Sequence, residues 1–136
     1  MQVLAIYSNK GGVGKTATAV NLAYLSARDG KRTLLCDLDH QGAATFYYRI
    51  KPKLKKKARS FLHFDSIYDS IKETDFKNLD LLPSDISLRK IDTGFSILKN
   101  PKKQLNKILK PLKKHYDLII LDCPPSFNYL AENIFI

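Results

Sequence analysis

The chain has 136 residues, of which 44% are apolar, and it carries a formal net charge of +10 at pH 7. This length and composition fit one globular domain with its own core and exclude a disordered tail. The excess of Lys and Arg suits contact with polyanions such as nucleic acid or an acidic membrane surface. No apolar run approaches the ~18 residues that a membrane-spanning helix needs.

Short apolar runs alternate with helical patterns from the N-terminus onwards. Residues 3–7 form a β-rich run, which indicates a first strand and not a signal peptide. Residues 16–28 place apolar side chains at helical spacing, and Asp29 with Gly30 predicts the end of that helix. Residues 33–36 predict a second, short strand that delivers acidic residues at its end.

The same alternation continues in the second half of the chain. Further buried strands are predicted at residues 79–82 and 118–121, and helices at residues 85–98 and 104–114, with prolines between and within them. Strands that alternate with helices predict an α/β fold, in which a parallel sheet is covered by helices on both faces.

Two basic segments stand out. Residues 49–59, RIKPKLKKKAR, contain seven Lys or Arg and no acid, and we interpret them as a solvated loop within the domain. Residues 99–114 carry seven lysines on a predicted helix whose apolar positions face inward. These apolar positions are Leu105, Ile108, Leu109 and Leu112. Both segments are first of all solvated surfaces, and non-specific DNA contact through either one is the alternative.

Residues 10–16, KGGVGKT, carry the clearest functional signal. They follow a predicted strand and open a predicted helix, which is the context of a phosphate-binding loop and not of a plain glycine-rich turn. Glycines let successive backbone N–H groups point at phosphate oxygens, while the helix presents its positive end. Lys15 would reach the terminal phosphates, and the Thr16 hydroxyl would bind Mg²⁺. The predicted nucleotide-binding residues are Gly11, Gly12, Val13, Gly14, Lys15, Thr16 and Ala17.

The loop departs from the standard Walker A pattern at its start. Asn9 occupies the first glycine position, and Lys10 follows it. A lysine at this point cannot easily contact the phosphates of its own site, because the loop turns away from it. Its natural target therefore lies on a neighbouring molecule.

With this extra lysine, the loop resembles the deviant Walker A motif of the ParA/MinD family of partitioning ATPases. Residues 34–45, LLCDLDHQGAAT, resemble that family's second motif, and residues 116–126, YDLIILDCPPS, resemble its Walker B. The family's Asn-Leu-Ala after the loop is present at residues 21–23, and Asn133 falls where an asparagine is expected after the Walker B strand. The Cys-Pro-Pro-Ser at the end of residues 116–126 is similar to the corresponding residues of the ParA branch of the family.

The resemblance implies a P-loop NTPase-like fold and an ATPase that binds Mg²⁺ and ATP, dimerises on ATP and takes part in plasmid or chromosome partitioning. Lys10 would reach the ATP of the dimer partner, as an arginine finger does. Asp39 would position the attacking water, and Thr16, Asp37 and Asp122 would support Mg²⁺, directly or through water. For each aspartate the alternative is a helix cap or a turn residue.

The implied partners are a second copy of the chain, non-specific DNA and a centromere-binding ParB-like protein. The resemblance implies no membrane partner. The implied location is the cytoplasm, including the nucleoid. Two buried thiols, expected at Cys36 and Cys123, agree with a reduced compartment. They are also too few as cluster ligands, which argues against an electron-transfer iron protein of the same superfamily.

Some positions depart from the family pattern. His40 stands where the family has a proline. Loss of the proline is expected to loosen the loop that carries Asp39, so we expect slow hydrolysis. Ala17 stands where a threonine is common, but its backbone N–H can still reach the α-phosphate. Family domains are considerably longer, so we expect the ATPase domain at residues 1–136 to be incomplete at its C-terminus. This leaves a non-catalytic remnant that binds nucleotide or DNA as the alternative function.

Overall fold

The computed structural model describes residues 1–8, 10, 14–53, 67–90 and 103–125 of the chain. The elements in chain order are β1 (Gln2–Ile6), α1 (Lys15–Arg28), β2 (Thr33–Asp37), α2 (Ala43–Tyr47), α3 (Ile67–Ser70), β3 (Lys72–Glu73), β4 (Leu79–Leu82), a 3-10 helix (Ile86–Lys90), α4 (Gln104–Leu109), a second 3-10 helix (Lys110–Lys114) and β5 (Leu118–Asp122). Within the described ranges, no helix combines the length and the apolar content needed to cross a bilayer.

The strands of the described residues form one five-stranded sheet in the order β1-β5-β2-β4-β3. β5 pairs in parallel with both β1 and β2, and β2 pairs in parallel with β4. The two-residue strand β3 runs antiparallel to β4 at one edge. The sheet confirms the predicted α/β fold class, and β3 is an addition that the sequence did not predict.

Helices cover both faces of this sheet, as predicted. On one face, Ala19 and Ala23 of α1 pack with Leu35 and Ile120 of the two central strands. On the other face lie the four predicted inward positions of α4 and the following 3-10 helix, Leu105, Ile108, Leu109 and Leu112. β2 and β5 are buried along their whole length, because each has a strand on both sides and helices above and below.

By contrast, β1 lies at the other edge of the sheet and is more open. Val3 is 41% exposed and Leu4 is 43% exposed. These side chains alternate between the two sides of the strand, so neither face of β1 is fully covered by the described residues.

Proline explains one difference between the predicted and observed helices. α4 ends at Leu109 and the chain continues as a 3-10 helix, because Pro111 has no N–H to continue the α-helical hydrogen bonding. In the predicted helix 85–98, residues 86–90 form a 3-10 helix, and residues 91–98 lie outside the described residues. Of the basic run 49–59, residues 54–59 also lie outside them, so its interpretation as a loop stays a prediction.

Candidate nucleotide-binding site

The start of α1 is shaped to receive an anion. Gly14 precedes it with a φ of 76°, a left-handed conformation that glycine adopts without steric cost. Among the described residues, no atom lies within 4 Å of a Cβ built on Gly14, so none of them fills the space beside this turn. The first turn of α1 has no acidic residue and no side-chain cap from Gly14, which leaves its positive end available.

The predicted residues Gly11, Gly12 and Val13 lie outside the described residues, as do Asn9 and Asn133. Ala17 is exposed in the first turn of α1, and its carbonyl accepts a hydrogen bond from the Asn21 side chain (2.8 Å). The binding roles assigned to residues 11–17 stay predictions.

The two functional side chains of α1 converge on Asp122, the last residue of β5. Lys15 Nζ donates to Asp122 Oδ1 at 2.6 Å, and Thr16 Oγ1 donates to Asp122 Oδ2 at 2.9 Å. Asp122 is fully buried, and the Lys15 side chain is only 9% exposed. The structure thus brings together residues of the first and third motifs, which are more than 100 positions apart in the chain.

Asp39 also lies close to Lys15. Its Oδ2 is 3.9 Å from Lys15 Nζ, and its side chain is 14% exposed. Because Asp37 is the register partner of Asp122 at the ends of β2 and β5, the three predicted aspartates occupy one end of the sheet. This is the end at which parallel sheets bind ligands.

Asp37 accepts hydrogen bonds from α2 and from Asp39, whereas Asp122 accepts them from the first turn of α1. Oδ2 accepts from the N–H (2.8 Å) and the hydroxyl (2.6 Å) of Thr45, and Oδ1 accepts from the N–H of Asp39 (3.3 Å). Burial raises the pKa of Asp37 to about 6, and the hydrogen bonds from Thr45 oppose that rise. Its contribution to a Mg²⁺ site stays a prediction.

The loop that carries Asp39 is held by several hydrogen bonds, although His40 replaces the proline of the family pattern. The N–H of Gln41 donates to Asp39 Oδ1 (3.0 Å), and the N–H of Gly42 donates to the Asp39 carbonyl (2.9 Å). The Ser84 hydroxyl donates to the same carbonyl. These hydrogen bonds oppose the loosening expected from His40.

Thr45 and Ser84 also belong to this site, although neither was predicted from the sequence. Thr45 is the last residue of the second motif, which could have marked it. Ser84 follows β4 in a stretch without motif or periodicity, so no signal pointed to it.

Lys10 is exposed, and its backbone N–H donates to Ser8 Oγ at 3.2 Å. Among the described residues, none forms an ion pair with its side chain. This exposure is compatible with a target on another molecule, but the role of Lys10 at a dimer interface stays a prediction.

The residues present fit Mg²⁺ and a nucleotide. The Thr16 hydroxyl and the Asp122 carboxylate offer the hard oxygen ligands that Mg²⁺ prefers. No group of three His, Cys, Asp or Glu in the described parts of the chain forms a complete metal cage. Mg²⁺ commonly takes one or two protein ligands and completes its shell with substrate phosphates and water.

Comparisons with known proteins point in the same direction. A family model described as an AAA domain matches residues 1–136. The sporulation initiation inhibitor protein Soj of Bacillus subtilis is 40% identical over 134 residues, which are 97% of this chain and 53% of Soj. The chain thus spans about half the length of such curated relatives.

Solved structures share the fold. Cobyrinic acid a,c-diamide synthase from Mycobacterium smegmatis, with bound ADP and magnesium, aligns with a TM-score of 0.88 and 32% identity over 98% of this chain and 55% of that chain. A plasmid partition protein from Borrelia burgdorferi aligns with a TM-score of 0.82 and 30% identity over 97% of this chain and 60% of that chain.

These findings agree with the family and cofactors predicted from the motifs. ADP and magnesium are bound by a protein of the same fold, and the relatives include a plasmid partition protein. Relatives and solved structures both align over nearly the whole of this chain. The chain therefore belongs to the family described as an AAA domain, and it is of the ParA/MinD type.

Proposed function

We propose that the chain is a ParA-type ATPase domain that binds Mg²⁺ and ATP, dimerises on ATP, hydrolyses it slowly and takes part in the partitioning of DNA. The observation that carries this proposal is the convergence of Lys15 and Thr16 on the buried carboxylate of Asp122. An ammonium group and a hydroxyl in the first turn of α1, beside a buried carboxylate at the end of β5, form the chemical set that phosphoryl transfer needs.

Nucleotide binding follows from the positions of these groups. The phosphates of ATP would lie against the open turn at Gly14, where the positive end of α1 and the Lys15 ammonium group attract them. Thr16 and Asp122 would hold Mg²⁺, which when bound neutralises charge on the phosphates. Asp122 also keeps the Lys15 side chain oriented toward the same end of the sheet.

Hydrolysis requires a group that orients water near the terminal phosphate. Asp39 is suited to this role because its carboxylate lies 3.9 Å from the Lys15 ammonium group and stays partly exposed. A carboxylate there can accept a hydrogen bond from water and hold it for attack. Lys10 of a second copy would add positive charge on the transferring phosphoryl group.

The test of nucleotide chemistry compares two threonine variants in ATP binding and in turnover with and without Mg²⁺. Thr16→Ala removes the hydroxyl next to Asp122, and we expect its Mg²⁺-dependent turnover to fall about 100-fold. Thr74→Ala removes a hydroxyl from the turn between β3 and β4, which bonds to the Leu79 carbonyl, and should leave turnover unchanged. A wild-type chain that fails to bind ATP would refute the proposal. Binding without turnover would instead support the non-catalytic remnant.

The test of ATP-dependent dimerisation uses two exposed lysines. Lys10→Ala should remove the increase in molecular mass that ATP induces and lower turnover, as measured by light scattering and phosphate release. Lys31→Ala is the matched control, because Lys31 is exposed beyond the other end of α1. If both variants dimerise and hydrolyse ATP as the wild type does, Lys10 has no role across an interface.

DNA is the partner that the charge distribution supports. The lysines of the segment 103–114 are exposed while its apolar side chains are buried, so this side of the domain presents positive charge. These lysines are Lys103, Lys107, Lys110, Lys113 and Lys114. Binding to duplex DNA should weaken steeply with added salt, and glutamine at Lys107 and Lys110 should reduce that salt dependence. A binding constant that does not change with salt would contradict DNA contact here.

A centromere-binding ParB-like protein completes the proposal, since partitioning ATPases act with such a partner. Support comes from the similarity to the plasmid partition protein and to Soj. Turnover measured with DNA, and with DNA plus a candidate partner, tests it: a partitioning ATPase should be stimulated by the combination. The same turnover in all conditions would contradict this part.

A further inference from the structure

A closed ring of hydrogen bonds passes through the backbone of Asp39. The Asp39 N–H donates to Asp37 Oδ1 (3.3 Å), and Asp37 Oδ2 accepts from Thr45 Oγ1 (2.6 Å). Thr45 Oγ1 in turn accepts from the N–H of Ser84 (2.8 Å), and the Ser84 hydroxyl donates to the Asp39 carbonyl. This Asp39 ring therefore begins and ends on the residue suited to orient water.

The other three members of the Asp39 ring are withdrawn from solvent. Asp37 is 1% exposed, and Thr45 and Ser84 are 0% exposed. Buried hydrogen bonds of this kind are costly to break, because a group that loses its partner finds no water to replace it. The ring consequently fixes the geometry of the Asp39 backbone more firmly than exposed contacts would.

The ring also joins three parts of the fold. Asp37 ends β2, Thr45 lies in α2, and Ser84 follows β4. Gly42, between Asp39 and α2, has a φ of 69°, a left-handed backbone conformation that favours glycine. Displacement of the segment after β4 would therefore be transmitted to Asp39 directly through the Ser84 hydroxyl and indirectly through Thr45 and Asp37.

We propose that Ser84 and Thr45 are positioning residues for ATP hydrolysis, holding Asp39 so that its carboxylate stays beside Lys15. This inference rests on the proposed function. Nucleotide affinity comes mainly from Lys15, Thr16 and the start of α1, whereas Asp39 acts on the attacking water. A shifted Asp39 should therefore lower kcat and leave KM largely unchanged.

The first test is a set of kinetic variants. Ser84→Ala removes the hydroxyl that holds the Asp39 carbonyl, keeps the Ser84 N–H, and should lower kcat about 10-fold to 100-fold with KM within about two-fold. Thr45→Val should lower kcat similarly, and Thr45→Ser should restore it because the hydroxyl is retained. Ser87→Ala is the matched control, since the Ser87 hydroxyl donates to the Asp85 side chain (2.6 Å), outside the ring.

The second test does not depend on turnover. Amide hydrogen exchange in the nucleotide-free chain should be at least about ten-fold faster at Asp39 and Gly42 in Ser84→Ala than in wild type, with exchange in α1 and β5 unchanged. If the wild type binds ATP without turning it over, the proposed hydrolysis fails. Unchanged exchange at Asp39 would then overturn the ring by itself, and faster local exchange would support it.

Two further outcomes overturn the positioning role when the wild type is active. One is a normal kcat in Ser84→Ala, whatever its exchange rates. The other is a parallel loss of kcat, ATP affinity and global stability in Ser84→Ala, which would make the serine merely structural. Because Ser84→Ala only deletes an oxygen atom, the test stands even if Thr45→Val does not fold.

Discussion

Replacement of Lys15 by methionine should destabilise the fold as well as remove a phosphate ligand. Lys15 neutralises Asp122, which is fully buried, and lies 3.9 Å from Asp39. Removal of one partner from a buried ion pair typically costs about 3–5 kcal/mol, because the other charge stays buried without compensation. Since Asp122 keeps the hydrogen bond from Thr16 (2.9 Å), we expect Lys15→Met to lose about 3 kcal/mol of unfolding free energy.

A second substitution, at Asp122, separates the cost of leaving the Asp122 carboxylate without a partner from the cost of losing its contact with Lys15. Asn at position 122 is neutral and can still accept a hydrogen bond from Thr16, so the Lys15→Met, Asp122→Asn double variant should recover all but about 1 kcal/mol. Urea unfolding at pH 7, followed by circular dichroism, measures these differences at equal m-values. Lys31→Met controls for a methionine in place of an exposed lysine.

Additive losses in the double variant would refute this reasoning, because they would mean that Lys15 and Asp122 do not interact in the folded state. The outcome also decides how Lys15 variants are to be interpreted. A loss of ATP binding in Lys15→Met reports phosphate recognition only if the variant is still folded at the assay temperature.

Three further predictions concern buried titratable groups. Burial raises the pKa of Asp37 from an ordinary value near 3.8 to about 6. The folded state therefore binds this proton more tightly than the unfolded state does. The unfolding free energy should fall by up to about 3 kcal/mol as pH rises from 4 to 7. Asp37→Asn should abolish that part of the pH dependence in urea titrations. Burial raises the pKa of the Cys36 thiol, and that of Cys123 to about 12, so iodoacetamide should modify neither in the native chain at pH 7.5 and both in urea, as mass spectrometry would show. The Tyr116 hydroxyl donates to Asp80 Oδ2 at 2.7 Å, so Tyr116→Phe should cost about 1–2 kcal/mol in the same unfolding assay; an unchanged midpoint would contradict this.

The sheet and the centre of the site could be predicted because both depend on local patterns. Apolar runs at residues 33–36 and 118–121 mark the two central strands, and parallel pairing brings their acidic ends together. The contact between Asp122 and Lys15 follows from the topology, because the order of strand, loop and helix places both residues at the same end of the sheet.

Ser84 and the end of α4 show where sequence analysis fails. The Ser84 hydroxyl contacts Asp39, which lies 45 positions earlier. No sequence pattern around a serine after a strand predicts a partner so far away in the chain. At α4, apolar periodicity continues to Leu112 and predicts one helix, but Pro111 changes the hydrogen bonding without changing which side chains face the core. Periodicity thus identified the buried face and not the type of helix.

Among the described residues, no strand pairs with the outer edge of β1, and this has a consequence for the solubility of the described part of the domain. Its five residues, Gln2–Ile6, carry no charge and no proline, and these are the features that usually prevent one sheet edge from adding to another. An unguarded apolar edge is a template for strands of other chains. Handling of the isolated domain at high concentration should therefore be limited by association through β1, even though its net charge of +10 keeps the rest of the surface repulsive.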